Sequence, residues 1–266
     1  MPRSAAFQTI LTPMSRRTRL TRLSRLKPLL ILAPLALLTG CSKVSGLGFE
    51  EGITSVNDQS LSLWQGAWIA AGVVGVFTLI LIVWPAIFHR GKKDDPSFPK
   101  QTQYNVPVEI AYTVIPFIIV AVLFYYTAQK QTIITEKTTT YAHEITVEGF
   151  QWSWQFGYPD AGPKALVTGT PEQTPTMVVP LGERVRYTLT ANDVVHGFWI
   201  PAFMIQMQNL PGLTNSLEFT ANKLGEFPGR CNILCGRNHS QMLFKVKVVT
   251  PAEFDAYLET LKGGQA

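Results

Sequence analysis

From Leu61 to Phe88 the chain is apolar, with Gln65 as its one strongly polar residue. A helix over this stretch reaches roughly 40 Å, enough to cross a bilayer with tilt. Trp64, Trp68 and Trp84 fall near the two ends of the run, where amphipathic rings suit the headgroup zone. A second apolar run covers Val106 to Thr127, about 33 Å of helix, and closes on Phe124, Tyr125 and Tyr126. Between the two runs the chain is polar and broken by prolines, and carries Arg90, Lys92, Lys93 and Lys100. The positive-inside rule places that loop in the cytoplasm and both flanking segments outside.

After Thr132 the pattern changes to short alternating runs punctuated by Gly and Pro. In Arg184 to Thr190 the residues Val185, Tyr187 and Leu189 share one face, which is β periodicity. Further strands are read at Glu144 to Phe150, Met177 to Val179, Ser216 to Thr220 and Leu243 to Val249, spaced as in a small sandwich or barrel. The end reads as a helix: Thr250 caps, Pro251 suits the first position, and Glu253 completes a capping box before Phe254, Tyr257, Leu258 and Leu261. The expected organisation is a leader over 1–40, an exterior segment over 41–60, membrane helices over 61–88 and 106–127 joined by a cytoplasmic loop over 89–105, and an exterior β domain over 128–266.

Charge and composition sharpen this division. Of 266 residues 46% are hydrophobic and 15% charged, apolar for a soluble protein yet too charged for one wholly in lipid. The net charge of +5 comes from the first forty residues, which hold seven of the 23 Lys and Arg and no acid. The remainder is slightly acidic, so nucleic acid is not an expected partner. The leader pairs a basic start with an apolar stretch from Leu29 to Leu38 and ends in Leu38-Thr39-Gly40-Cys41, similar to a bacterial lipobox. Cleavage there leaves Cys41 at the new N-terminus, lipidated and tethered to the outer face of the membrane. An ordinary signal, cleaved or retained, is the alternative.

Two cysteines remain, in a region where exported thiols normally oxidise. They lie in Cys231-Asn-Ile-Leu-Cys235-Gly-Arg-Asn-His239-Ser-Gln-Met242, where two thiols, an imidazole and a thioether fall within twelve residues. Soft donors of this kind select copper. His196 stands 35 residues upstream, in Asp193-Val-Val-His196-Gly-Phe-Trp-Ile-Pro201, and is the natural second imidazole. A mononuclear blue-copper site uses one Cys, so one thiolate is left over. Two thiolates suit a pair of metal ions, each taking one imidazole and one weak donor, with Met242 and the carbonyl of Ile233 available. Each residue also has a plainer explanation: a disulfide, a core histidine, a Met filling a strand.

This loop, with the His196 segment, resembles the dinuclear copper (CuA) motif of cytochrome c oxidase subunit II. The resemblance runs from about Leu61 to Met242. It implies a two-helix transmembrane hairpin followed by an all-β cupredoxin-like Greek-key barrel with a short C-terminal helix. It further implies two copper ions bridged by Cys231 and Cys235, with His196 and His239 as imidazole ligands, Met242 as thioether and Ile233 as carbonyl donor. Gly149-Phe-Gln-Trp152-Ser-Trp154-Gln-Phe-Gly-Tyr158 resembles the family's aromatic segment, and Trp152 stands where electrons arrive from cytochrome c. In the second helix, Glu109-Ile-Ala-Tyr-Thr113-Val-Ile-Pro116 is similar to the family pattern in which the Glu opens a proton-uptake path of the partner. A snorkelling interfacial acid is the other reading of Glu109.

By that resemblance the partners are a haem-bearing catalytic subunit, further oxidase subunits, membrane lipid, and a soluble or membrane-bound cytochrome c. Oxygen is reduced in the partner, since of the four histidines two are taken by copper and too few remain for a haem-copper centre. The family often has Glu where Ile233 stands, its side chain helping to bind magnesium at the subunit border; here that ligand is missing. Gln206 and Gln208 likewise stand where Lys and Asp are common. Two rival functions are a copper-free quinol-oxidase-type scaffold, against which the complete ligand set counts, and a membrane-anchored cupredoxin carrier, in which two membrane spans would have no purpose.

Overall fold

The structure, a computed structural model, describes residues 48–89 and 101–263. The leader, Cys41 and the basic loop residues Arg90, Lys92, Lys93 and Lys100 lie outside the described residues. Helix α1 spans Asn57–Phe88 and α2 spans Val106–Ile134; both are long and apolar enough to cross a membrane, and their apolar stretches are not buried against the rest of the chain.

Helix α1 begins four residues before the apolar run, because Thr54 and Asn57 brace its start reciprocally. The Thr54 hydroxyl accepts from Asn57 N at 3.0 Å, and Asn57 Oδ1 accepts from Thr54 N at 3.1 Å. Helix α2 starts with Asn105 as its cap, its side chain accepting from Val108 N, and with Pro107 in the first turn. It continues past Thr127 through polar rungs, where Lys130 Nζ donates to Gln59 Oε1 at 2.7 Å and ties the two helices together.

Ten strands follow: β1 His143–Phe150, β2 Ser153–Gly157, β3 Leu166–Thr168, β4 Thr176–Pro180, β5 Arg184–Ala191, β6 His196–Ile200, β7 Ile205–Asn209, β8 Asn215–Thr220, β9 Gly225–Cys231 and β10 Leu243–Val249. They form two five-stranded sheets, in the orders β3-β2-β1-β5-β8 and β4-β10-β9-β6-β7. Within the sheets β1 and β5 run parallel, as do β4 and β10, and the other pairs are antiparallel. The inward residues of both sheets meet in one core, in which Trp154 packs on Phe244 at 5.2 Å, Phe198 stacks on Phe244 at 4.9 Å and Tyr187 on Phe219 at 4.3 Å. The architecture is the cupredoxin-like one expected from the sequence.

Five strands were not expected, and each has a reason. β2 and β6 are buried on both faces, so their sequences Ser-Trp-Gln-Phe-Gly and His-Gly-Phe-Trp-Ile carry no alternation. β9 contains Pro228 and two glycines, which read as a loop. Gly229 is there because a Cβ would strike the ring of Phe244. β3 has three residues and β7 is a polar edge strand.

The barrel's edges are covered at two places. Helix α3, Pro251–Lys262, has the capping box read from the sequence, with Glu253 Oε2 accepting from Thr250 N at 2.9 Å. It buries Phe254, Leu258 and Leu261 beside β4. At the outer strand β8, the segment before α1 pairs on: Ser55 N donates to Thr220 O and Asn222 N to Ile53 O, at 2.9 and 2.8 Å. Ile53 and Val56 enter the core.

Glu218 on β8 fastens the second helix to the barrel. Its side chain is wholly buried. Oε2 accepts from Thr138 N, Thr138 Oγ1 and Arg184 Nε at 2.9, 2.8 and 3.1 Å, and Oε1 from Arg186 Nη2 at 2.7 Å. Thr138 lies in the segment joining α2 to β1, and Arg186 Nη2 also donates to Thr138 O at 2.7 Å. Burial pushes the Glu218 carboxyl up, but these donors outweigh it and hold the carboxyl down at about 2, against an ordinary 4.5. A depressed acid contributes stability above its unfolded-state pKa and loses it as pH falls through the folded-state value. Glu218→Gln should therefore lower stability by about 2–3 kcal/mol at neutral pH. The gap should shrink as pH falls from 4.5 towards about 2, followed by thermal unfolding of the detergent-purified protein across a pH series. A gap that does not change with pH would contradict this account.

Candidate metal centre

The loop from Asn232 to Met242 joins β9 to β10 at one end of the barrel. Its base is pinned by Cys231 N donating to Met242 O at 3.0 Å, and its far side by a short 3-10 turn over His239–Gln241. Cys231 ends β9 and His196 opens β6, the strand hydrogen-bonded beside it. The fold thus delivers the upstream histidine to the loop across two neighbouring strands.

All six sequence-predicted donors converge. Cys231 and Cys235 are free and buried, their sulfurs 3.8 Å apart, well beyond a bonded separation of ~2 Å. A ring nitrogen of His196 lies with both sulfurs inside a group whose members are within 4.8 Å of one another. His239 Nδ1 lies 3.5 Å from Cys235 Sγ, Met242 Sδ 3.7 Å from the same sulfur, and the Ile233 carbonyl 3.2 Å from Cys231 Sγ. His196 and Met242 are fully buried.

One atom in this cluster lacks a partner. His196 Nδ1 is buried with no hydrogen bond, while Nε2 sits 2.8 Å from Asp193 Oδ1. A carboxylate only accepts, so Nε2 carries the proton and Nδ1 keeps a bare lone pair in the interior, the state a metal requires. Burial pushes the Asp193 carboxyl up, but the hydrogen bonds from His196, Gln151 N and Val194 N outweigh it and hold it below its ordinary value. The sulfurs show the same need for a cation. Burial pushes the Cys231 thiol up, yet hydrogen bonding, such as that from Gly197 N, holds it below its ordinary value; burial and the neighbouring Cys231 charge push Cys235 up. Two adjacent thiolates without a positive ion repel, so one ionises at the other's expense. The donor set is soft and nitrogen-sulfur rich, which fits copper and does not fit a hard cation.

Sequence reasoning missed two supporting residues. Asp193 Oδ2 accepts from Gln151 N at 2.7 Å, and Gln151 Nε2 donates to Cys235 O at 2.8 Å, closing a circuit from His196 to the β9–β10 loop. The signal available was the Asp-x-x-His spacing and the Gln beside Trp152. Trp152 is half-buried and its Nε1 donates to the same Cys235 carbonyl at 3.2 Å. Gly236 makes this possible: its φ is +122°, and a Cβ there would lie 3.1 Å from both Gln151 Nε2 and Trp152 Nε1.

Other candidate residues lie apart. Glu109 is in the first turn of α2 and its Oε1 accepts from Asn105 N at 2.8 Å, so it also braces the helix start. His143, unassigned from the sequence, places its ring nitrogens 2.6 and 2.9 Å from Asp160 and Glu183. It opens β1, whose far end leads to Trp152, about 23 Å away along the strand.

Comparison with known proteins identifies the family. Residues 143–249 match the family described as cytochrome C oxidase subunit II, periplasmic domain. A Streptomyces avermitilis protein named as a probable cytochrome c oxidase subunit 2 is 39% identical, covering 87% of this chain and 85% of its own length. Cytochrome c oxidase subunit 2 of Mycobacterium tuberculosis is 34% identical over 86% and 79%. The periplasmic domain of subunit II of cytochrome oxidase from Bradyrhizobium japonicum is 33% identical, covers 49% of this chain and all of that one, and superposes with a TM-score of 0.43. Relatives this similar along most of both chains, with every donor gathered at one end of the barrel, settle the classification: the chain belongs to the cytochrome c oxidase subunit II family, a component of a haem-copper oxidoreductase.

Proposed function

We propose that this subunit receives electrons from a cytochrome c at Trp152 and passes them, through a binuclear copper centre, towards haem in the catalytic subunit. The observation that carries the reading is the pair of unjoined sulfurs 3.8 Å apart beside the orphaned His196 Nδ1. Cys231, Cys235, His196, His239, Met242 and the Ile233 carbonyl would together hold two copper ions. Bound there, the copper pair supplies a one-electron store whose charge is shared over both metals, so each ligand bond changes little on reduction.

The chain's own residues do the rest. Asp193 orients His196, and Gln151 and Trp152 hold the Cys235 carbonyl from outside, which puts the indole one hydrogen bond from a metal-ligand residue. The packed barrel keeps Cys231, Cys235, His196 and Met242 from water, limiting rearrangement of solvent when charge arrives.

The same proposal sets the barrel on the exterior face of a bacterial plasma membrane, with the hairpin crossing twice, the loop over 89–105 inside and Cys41 lipid-anchored. Glu109, near the cytoplasmic end of α2, would stand at the mouth of a proton-uptake path of the partner.

Two measurements test the reading on the assembled, detergent-purified oxidase. Metal analysis should find two coppers per subunit, and the oxidised protein should show hyperfine coupling to both nuclei; a single-copper signal, or none, would overturn the site assignment. Cys231→Ser should abolish that shared signal. Trp152→Phe should keep the copper spectrum and slow electron uptake from reduced cytochrome c by roughly tenfold or more, a barrier change of about 1.4 kcal/mol. An unchanged rate would remove Trp152 from the route.

A further inference from the structure

The subunit border next to the copper loop is where the family resemblance implies magnesium, and the residues here do not fit it. A recess of about 350 Å³ opens beside the loop, lined by Gln206, Met207, Gln208, Asn232 and Ile233. None is a carboxylate. Magnesium is held in proteins through carboxylates, with waters or phosphates completing an octahedron of hard oxygens. Ile233 turns its carbonyl to Cys231 Sγ at 3.2 Å and offers the recess only an aliphatic side chain.

Two of the polar side chains present, Asn232 and Gln206, are engaged with one another. Asn232 Nδ2 donates to Gln206 Oε1, which joins the loop to the edge strand β7. Asn232 N donates to Gly197 O at 3.2 Å on β6, and a Cβ at Gly197 would collide with Asn232 Oδ1. Asn232 is thereby fixed on both sides, and it immediately precedes the residue whose carbonyl faces the sulfurs. A cation in this place would draw on the same side chains. The amide pair performs the mechanical task without one.

We propose that the border recess of this subunit binds no divalent cation and that the Gln206–Asn232 amide pair positions the copper loop instead. Gln206 acts through Asn232 on the Ile233 carbonyl and is a positioning residue. The inference rests on the reading of the loop as a copper site, so copper content is measured in every sample.

The test uses the assembled oxidase, exchanged against Mn²⁺ as a paramagnetic stand-in for Mg²⁺ and then washed with chelator. Wild type should retain no manganese near copper, while Ile233→Glu, which supplies the missing carboxylate, should gain a bound Mn²⁺ that broadens the copper resonance. Gln206→Ala should shift the copper hyperfine pattern and reduction potential, and Gln206→Glu, which keeps the accepting oxygen, should restore both in the presence of EDTA. Wild type that holds Mn²⁺ with its copper intact would overturn the proposal, as would a Gln206→Ala spectrum and potential identical to wild type. If Gln206→Ala does not assemble, the wild-type manganese measurement still decides. Loss of copper from the wild type would instead sink the reading of the loop.

Discussion

Everything in the β domain answers to one electrostatic problem: two sulfurs, of which only one readily takes a negative charge, are confined side by side away from water. Burial penalises a thiolate, and a second thiolate nearby penalises it again. Only positive charge placed among the donors relieves both. The fold supplies the geometry for that relief in advance. His196 Nδ1 is stripped of any hydrogen bond, the Ile233 carbonyl is turned inward, and Met242 closes the interior side.

Holding such a cluster open needs rigid supports, and they come from both sheets. The turn between β1 and β2 belongs to one sheet, and the β9–β10 loop and His196 belong to the other. Asp193 and Gln151 bridge them, so the distance between the surface indole and the sulfurs is set by hydrogen bonds of 2.7 and 2.8 Å rather than by loose packing. Gly236 concedes its side chain to let that bridge close. At the other extreme, Glu218 binds the segment joining the second helix to β1 onto β8, so the membrane hairpin is not a slack leash.

What could be read from the sequence was what is local. The capping box at Thr250 and Glu253 spans four residues, and four of the five side chains expected at the copper come from one twelve-residue loop; both announced themselves. The helices were legible from apolar runs, though not their polar ends, because Thr54 with Asn57 and the rungs beyond Thr127 depend on hydrogen bonds and not on hydropathy. Strands β2 and β6 stayed hidden, since burial on both faces erases the two-residue rhythm. Gln151, Asp193 and Glu218 were out of reach for a different reason: each joins residues distant along the chain, such as Gln151 to Cys235, 84 positions apart. An acid standing alone in an apolar strand signals nothing until its arginines on the next strand are known.

Residues Ile53 to Val56 precede the first helix, yet they finish the rim of the β8 sheet. The barrel is therefore not encoded by one continuous stretch of chain. A soluble fragment cut free after the second helix would bare the backbone of Thr220 and Asn222 and the hollow that Ile53 and Val56 fill. Such an unpaired border invites self-association. Splicing the missing strip back through a flexible tether would heal it, which makes the hairpin as much a folding clamp for the domain as its anchor.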